Sequence, residues 1–363
     1  MLRFFVQARE FILRHERVLS PLSLISGFTV DALTLRRADL LPETLLLYSY
    51  LITIGASIFV LYLIASGVFR GKFFDLLRPW LPLVLQFTYG SIFSAFLIFY
   101  TKSASISQSW PFLLLLFGVF VGTELFRSYS ARFTFQLSIF YFALFSFCII
   151  AAPLSLGEIS TRAFLIAGAA SVAMFIIFSL LLYAVDRQRM AGSAQRVGML
   201  VVAMYLLINA LYFFNIIPPI PLALKDIGVY HNIVRTEGGY TLTGENYAWP
   251  SLMFSRQMMH LVEGEPVFVF SSVFAPVAIE TNVVHRWEYW SDIDDAWRDA
   301  GTIAFPVVGG RDGGYRGFSF KRGVFPGLWR VSVETENEKH IGQIEFDIEF
   351  VSRVAELSTE TIK

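Results

Sequence analysis

The stretch Gly198–Leu222, GMLVVAMYLLINALYFFNIIPPIPL, divides the chain into two kinds of sequence. No Lys, Arg, Asp or Glu interrupts it, and it closes on Pro218, Pro219 and Pro221. A helix needs about 20 apolar residues to cross the hydrocarbon of a bilayer. Proline cannot continue the backbone ladder, so the stretch reads as a last span whose helix is stopped by the prolines. Apolar runs precede it, and polar strands and turns follow it.

Working back from this span, Thr44 to Phe69, Pro79 to Thr101, Ser103 to Thr123, Phe133 to Gly157 and Ala163 to Val185 are equally free of charge, and Val197 to Leu224 completes a set of six spans. Leu19 to Leu35 is a seventh candidate. It is short and carries Pro21 and Asp31, so it crosses, re-enters or lies flat. Residues 1–18 place Phe4, Phe5, Ala8, Phe11 and Ile12 at helical spacing opposite Arg3, Arg9, Glu10 and Arg14. This pattern predicts an amphipathic interfacial helix, not a cleavable leader. The spanning domain thus covers 19–224.

Positive charge sets the expected orientation. If the last span exits outward, the inner side receives Arg70, Lys72, Arg78, Arg127, Arg132, Arg187, Arg189 and Arg196, and the outer loops receive Arg36, Arg37, Lys102 and Arg162. The C-terminal part is then extracytoplasmic, whatever Leu19 to Leu35 does. Trp80 and Trp110 open their spans, as interfacial anchors do.

Composition agrees with this plan. The 363 residues are 55% hydrophobic and include 37 phenylalanines, outside the range of soluble globular chains. The formal net charge is zero, but Met1 to Leu222 carries 16 Lys and Arg against 9 Asp and Glu, and the remainder 13 against 20. An acidic soluble half lacks the basic footprint that nucleic acid requires. The single Cys148 sits in an apolar span, which rules out disulfides and a cysteine-based zinc site.

Residues 225–265 mix turn signals with aromatics and read as a membrane-proximal connector. From Pro266 the period becomes two. Val267 to Phe274, Asn282 to Trp290, Thr302 to Val308, Tyr315 to Arg322, Leu328 to Thr335 and Ile341 to Val351 read as strands. In the last of these, Ile344, Phe346, Ile348 and Phe350 alternate with Glu345, Asp347 and Glu349, which predicts one buried and one wet face. Six short strands over 266–352 predict an all-β, immunoglobulin-like sandwich without the disulfide, followed by a frayed polar tail at 353–363.

Gly309 to Ile348, GGRDGGYRGFSFKRGVFPGLWRVSVETENEKHIGQIEFDI, resembles the C-terminal domain of bacterial membrane proteins known as domain of unknown function 2914. The likeness lies in the Gly-Gly-Arg turn, Gly314-Tyr315-Arg316, Lys321, and Pro326-Gly327 with Trp329-Arg330-Val331. The membrane half is similar in Ser20-Pro21 through Gly27-Phe28 to Asp31, in Gln86-Phe87 with Gly90, in Ser109 to Phe112 and in Asn215 to Leu222. The resemblance implies a bacterial envelope protein with an extracytoplasmic C-terminal domain, and brings no activity with it.

Candidate chemistry is sparse. Asp31, Arg36, Arg37 and Asp39 form a polar cluster expected at the outer mouth of the bundle, where they serve as a turn or as a site. Glu124 ends its span beside Arg127. No histidine lies in the six spans, so an intramembrane serine has no base, and Gly55-Ala56-Ser57 and Gly90-Ser91 read as helix-packing positions. His231, His260, His285 and His340 lack metal-motif spacing. In the soluble part, Arg311, Arg316, Lys321, Arg322 and Arg330 either bind an anionic headgroup or glycan or pair with Glu345, Asp347 and Glu349 across strands. Trp287, Tyr289, Trp290, Trp297, Tyr315 and Trp329 either stack on sugars or fill the core. With no cofactor or metal expected, the leading reading is a non-enzymatic envelope protein. Its β domain binds a protein, glycan or lipid, and Arg311, Arg316, Lys321, Arg330, Trp287 and Tyr315 are its site residues. The alternative is a membrane enzyme or carrier acting on a lipid-linked substrate at the outer face.

Overall fold

The computed structural model describes residues 2–35, 41–69, 71–103, 106–125, 133–218, 222–236, 239–245, 257–275, 280–308, 314–353 and 357–362. The chain forms two compact units, a helical one of residues 1–102, 106–156 and 160–221, and a β unit of residues 222–363 with the short segments 103–105 and 157–159.

The helices are α1 (Leu2–Thr34), α2 (Leu41–Ala65), α3 (Lys72–Leu77), α4 (Trp80–Ser103), α5 (Ile106–Leu125), α6 (Phe133–Leu156), α7 (Thr161–Val185) and α8 (Arg187–Phe213). Within them Pro42–Ala65, Trp80–Thr101, Phe133–Leu156, Thr161–Val185 and Arg187–Phe213 are long and apolar enough to cross a membrane, which marks a membrane protein. The remaining expected span falls on α5, whose described apolar part, Ser109–Gly122, is shorter. Residues 1–18 and the doubtful seventh segment are not separate elements, because α1 runs unbroken through Pro21. Membrane helices tolerate such prolines when neighbours satisfy the freed carbonyl.

Helix α6 is the centre of this unit, with every residue from Leu137 to Ile150 buried. Helices α7 and α8 lie at its edge and expose Ile176, Ile177, Leu180, Leu206 and Leu207, the apolar faces a lipid-contacting helix presents. A single residue joins them. The Asp186 backbone N–H closes α7 on the Leu182 carbonyl, and its side chain caps α8 by accepting from the Arg189 N–H at 3.0 Å. The segment after Asp186, which carries Arg187, Arg189 and Arg196 of the expected inner side, is therefore helical.

The prolines do not end the last helix. It stops at Phe213, before Pro218, because Asn215 adopts a left-handed φ of 57°. The Asn215 N–H donates to the Tyr212 carbonyl at 3.1 Å, and the Ile216 N–H donates to the Leu211 carbonyl at 2.9 Å. This is a Schellman closure with asparagine in the position glycine usually takes.

The β unit contains β1 (Ala223–Tyr230), β2 (Asn232–Thr236), β3 (Gly239–Glu245), β4 (Gln257–Leu261), β5 (Val267–Phe274), β6 (Glu280–Ser291), β7 (Ala296–Val308), β8 (Tyr315–Lys321), β9 (Gly327–Thr335), β10 (His340–Phe350) and β11 (Leu357–Ile362). The expected connector thus supplies four strands, and the expected frayed tail supplies a fifth. Among the described residues three sheets form, in the orders β1-β5-β8, β4-β10-β9-β6-β7 and β11-β3-β2. Pairing is antiparallel except for β4 against β10.

The sandwich gains a third layer, and β5 is the reason. Its sequence VFVFSSVF is apolar on both faces. Val267 and Val269 pack with Trp287, Trp329, Val331 and Phe346 of the five-stranded sheet, while Phe268 and Phe270 pack with Ile233, Leu242 and Ile362 of the small sheet. A strand apolar on both sides needs cover on both sides.

Candidate functional site

The alternation expected in β10 sends Phe346 and Ile348 into the core, and Glu345 and Asp347 onto the outer face of the five-stranded sheet. On that face Trp290 and Trp297 are direct cross-strand partners in the β6–β7 hairpin, with ring centroids 5.5 Å apart at 78°. The hairpin tip is closed by Ser291, whose hydroxyl donates to Asp294 at 2.8 Å, and by Arg298, which pairs with the same carboxylate. Opposite lies the turn before β9. There Phe325 packs on Trp329 at 5.0 Å, the Trp329 indole N–H donates to the Phe325 carbonyl, and Gly327 takes a φ of 129° that a side chain would strain. Between these elements is a cleft of about 690 Å³ lined by Trp290, Asp292, Trp297, Phe325, Glu345 and Asp347.

The expected basic patch does not assemble. Arg330 Nε and Nη2 both reach Glu288 Oε2, at 2.8 and 2.7 Å, and its guanidinium stacks 4.2 Å from the Trp297 ring. Its pairing partner is on β6, not among Glu345, Asp347 and Glu349. Arg316 and Lys321 belong to β8, in a different sheet. Arg316 shares a rung with Ser272 and Asp226. Burial raises the Asp226 carboxyl above its ordinary range, against the opposing pull of Arg316. The Lys321 ammonium donates to the Ala300 carbonyl, and Arg311 lies outside the described residues. Nor does Trp287 offer a stacking face. It is 1% exposed, and its indole N–H donates to Ser319 Oγ at 3.0 Å. Tyr315 packs on an interior cluster of the β unit.

Two polar clusters had no spacing signal in the sequence. In the core, His285 is held between Ser271 and Ser319 at 2.7 and 2.8 Å. Burial pushes the pKa of this imidazole down to about 3. Glu245 accepts from the His260 backbone N–H at 2.8 Å and is flanked by the His260 and His231 rings at 2.8 and 3.1 Å. Burial raises the Glu245 carboxyl, but the bonds from His260 and His231 outweigh it and hold the group below its ordinary value. Among the described residues no group of three or more ligating side chains is arranged for a metal.

In the helical unit, Asp31 is not open to solvent. It is fully buried and bonded to Tyr50 and Ser94. Arg36, Arg37, Asp39 and the Glu124 side chain lie outside the described residues.

These features define a membrane helix bundle joined to an all-β domain. Residues 280–348 match the family described as "Protein of unknown function (DUF2914)", so the C-terminal region carries a DUF2914 domain. No curated protein matches the chain. Solved structures with local likeness include a β-glucosidase from Listeria innocua, in complex with isofagomine and with gluconolactone. Each of the two is 11% identical and covers 35% of this chain and 16% of that one, at a TM-score of 0.19. The Pseudomonas fluorescens alkylpurine DNA glycosylase AlkC bound to DNA is 12% identical and covers 83% of this chain and 97% of that one, at a TM-score of 0.21. The chain thus spans a small part of the glucosidase, and none of these overlaps supports an argument about fold or function.

Proposed function

We propose that this is a non-enzymatic bacterial inner-membrane protein whose β domain, on the periplasmic side, binds an envelope glycan in the Trp290–Trp297 cleft. The observation that carries the reading is the pairing of aromatic faces with carboxylates in one concavity. Sugar rings offer C–H faces to indole and hydroxyl donors to carboxylate oxygens. Asp292, Glu345 and Asp347 disfavour a phosphate headgroup, and Arg330 is already committed to Glu288. The cleft therefore suits a neutral or amino-bearing glycan better than an anionic lipid.

Titration of the full-length protein in detergent, read by tryptophan fluorescence, tests this with N-acetylglucosamine oligomers, their deacetylated forms and phosphatidylglycerol vesicles. Saturable binding of either sugar is expected, weakened at least tenfold by Trp297→Ala, a loss of about 1.4 kcal/mol or more. Binding only to the vesicles, or sugar binding indifferent to Trp297→Ala, overturns the reading. A membrane carrier is the second reading, and buried Asp31 is what favours it.

A further inference from the structure

Asp31, Tyr50 and Ser94 meet from three helices. The Tyr50 hydroxyl on α2 donates to Asp31 Oδ1 at 2.8 Å, and the Ser94 hydroxyl on α4 lies 2.8 Å from Oδ2. Tyr50 is nine residues in from Leu41, and Ser94 is nine residues before Ser103. At 1.5 Å per residue each is about 14 Å along its helix from that end, inside the roughly 30 Å that hydrocarbon spans, and Asp31 itself lies three residues before Thr34, the end of α1. A bare carboxylate at that depth is costly. Among the described residues Tyr50 is the titratable group that faces it, and no charged side chain acts on it. Helix α4 contributes Ser94, the described apolar part of α5 carries no charge, and the side chains of Lys72 and Asp75 on α3 lie outside the described residues.

Ser94 has one hydrogen and two acceptors. Its Oγ is 2.8 Å from Asp31 Oδ2 and 2.9 Å from the Ser91 carbonyl. With Asp31 ionised, the Ser94 hydrogen points at Oδ2. With Asp31 protonated on Oδ2, the carboxyl O–H donates to Ser94 Oγ, and the Ser94 hydrogen turns to the Ser91 carbonyl. Tyr50 donates to Oδ1 in both states. One hydroxyl rotation therefore satisfies every member in either protonation state, with no backbone movement.

From this geometry we infer that Asp31, Tyr50 and Ser94 form a reversible proton-binding site inside the membrane bundle. Uptake moves one proton from water onto Oδ2 and removes the buried charge; release returns the proton to water and restores the carboxylate. The site is independent of the glycan cleft.

Infrared titration of the full-length protein in lipid nanodiscs reads it directly. A carboxyl carbonyl band that rises and falls with pH, and is missing in Asp31→Asn, is the expected result. Tyr50→Phe keeps the carboxyl but removes a donor that favours the ionised form, so the band should persist about one pH unit higher. No titrating band, a band unchanged in Asp31→Asn, or a midpoint unmoved by Tyr50→Phe overturns the proposal. If Asp31→Asn fails to fold, the Tyr50→Phe midpoint decides.

Discussion

His285 shows how one residue couples the β domain to pH. Its ring nitrogens are taken by Ser271 on β5 and Ser319 on β8, so the neutral imidazole bridges two sheets. Its pKa falls to about 3 in the fold because burial penalises the charged form, whereas an unfolded imidazole titrates near 6.5. Below that pH the unfolded chain takes up a proton that the folded domain refuses. The His285 contribution is therefore complete above about pH 6.5 and is lost at about 1.4 kcal/mol per pH unit as the pH falls towards 3. His340, depressed to about 4 by burial and by Arg330, acts in the same direction. Thermal unfolding followed by tryptophan fluorescence should move to lower temperature between pH 7 and 5, and His285→Gln should flatten that dependence. Equal slopes in both proteins would place the acid sensitivity elsewhere. Arg330 teaches a different lesson. Its register places it opposite both Glu288 and Glu345, and it pairs with Glu288 while stacked on Trp297.

Among elements, the crossing of α1 and α4 sets backbone close against backbone, and it brings Asp31 to Ser94. A Cβ on Gly90 would fall 2.4 Å from the Leu24 carbonyl oxygen, and one on Gly27 would fall 2.5 Å from that of Phe87. Both obstacles are backbone and cannot rotate away. Gly90→Ala should therefore push the helices apart and cost about 1–3 kcal/mol, seen as a lower unfolding temperature in detergent. Gly118→Ala on α5, where a Cβ meets nothing within 4 Å, should be neutral or gain up to about 1 kcal/mol from helix propensity. Equal destabilisation by both would remove close packing as the explanation. The small residues at Gly90-Ser91 were legible as a packing surface, but which helix they receive was not, because a small residue specifies only that something comes close.

At the scale of the whole molecule, the charge split and the positive residues of the short loops predict that a phosphatase fused after Lys363, active only outside the cytoplasm, will be active; an inactive fusion at normal protein level reverses the orientation. Strands β5, β6, β8, β9 and β10 lie within two residues of where alternation puts them, since period two follows from the pleat itself. The cleft was harder to see. Trp290 and Trp297 at the two ends of an Asp-rich turn were its only local signal, and Phe325 and Glu345 reach it through sheet order alone. The junction Gly198–Leu222 reads from the sequence as a boundary, but Asn215 stops the helix, since a left-handed residue with a Schellman closure is a matter of backbone conformation that composition does not report. By itself the sequence determined five of the six expected spans, the strands from β5 to β10 and the division between helices and sheets, all of which follow from short-range hydrophobic period. Tertiary structure alone decided that Trp287 is core, that Arg330 is paired and that Asp31 is buried between Tyr50 and Ser94, because burial and partner choice depend on which distant elements meet.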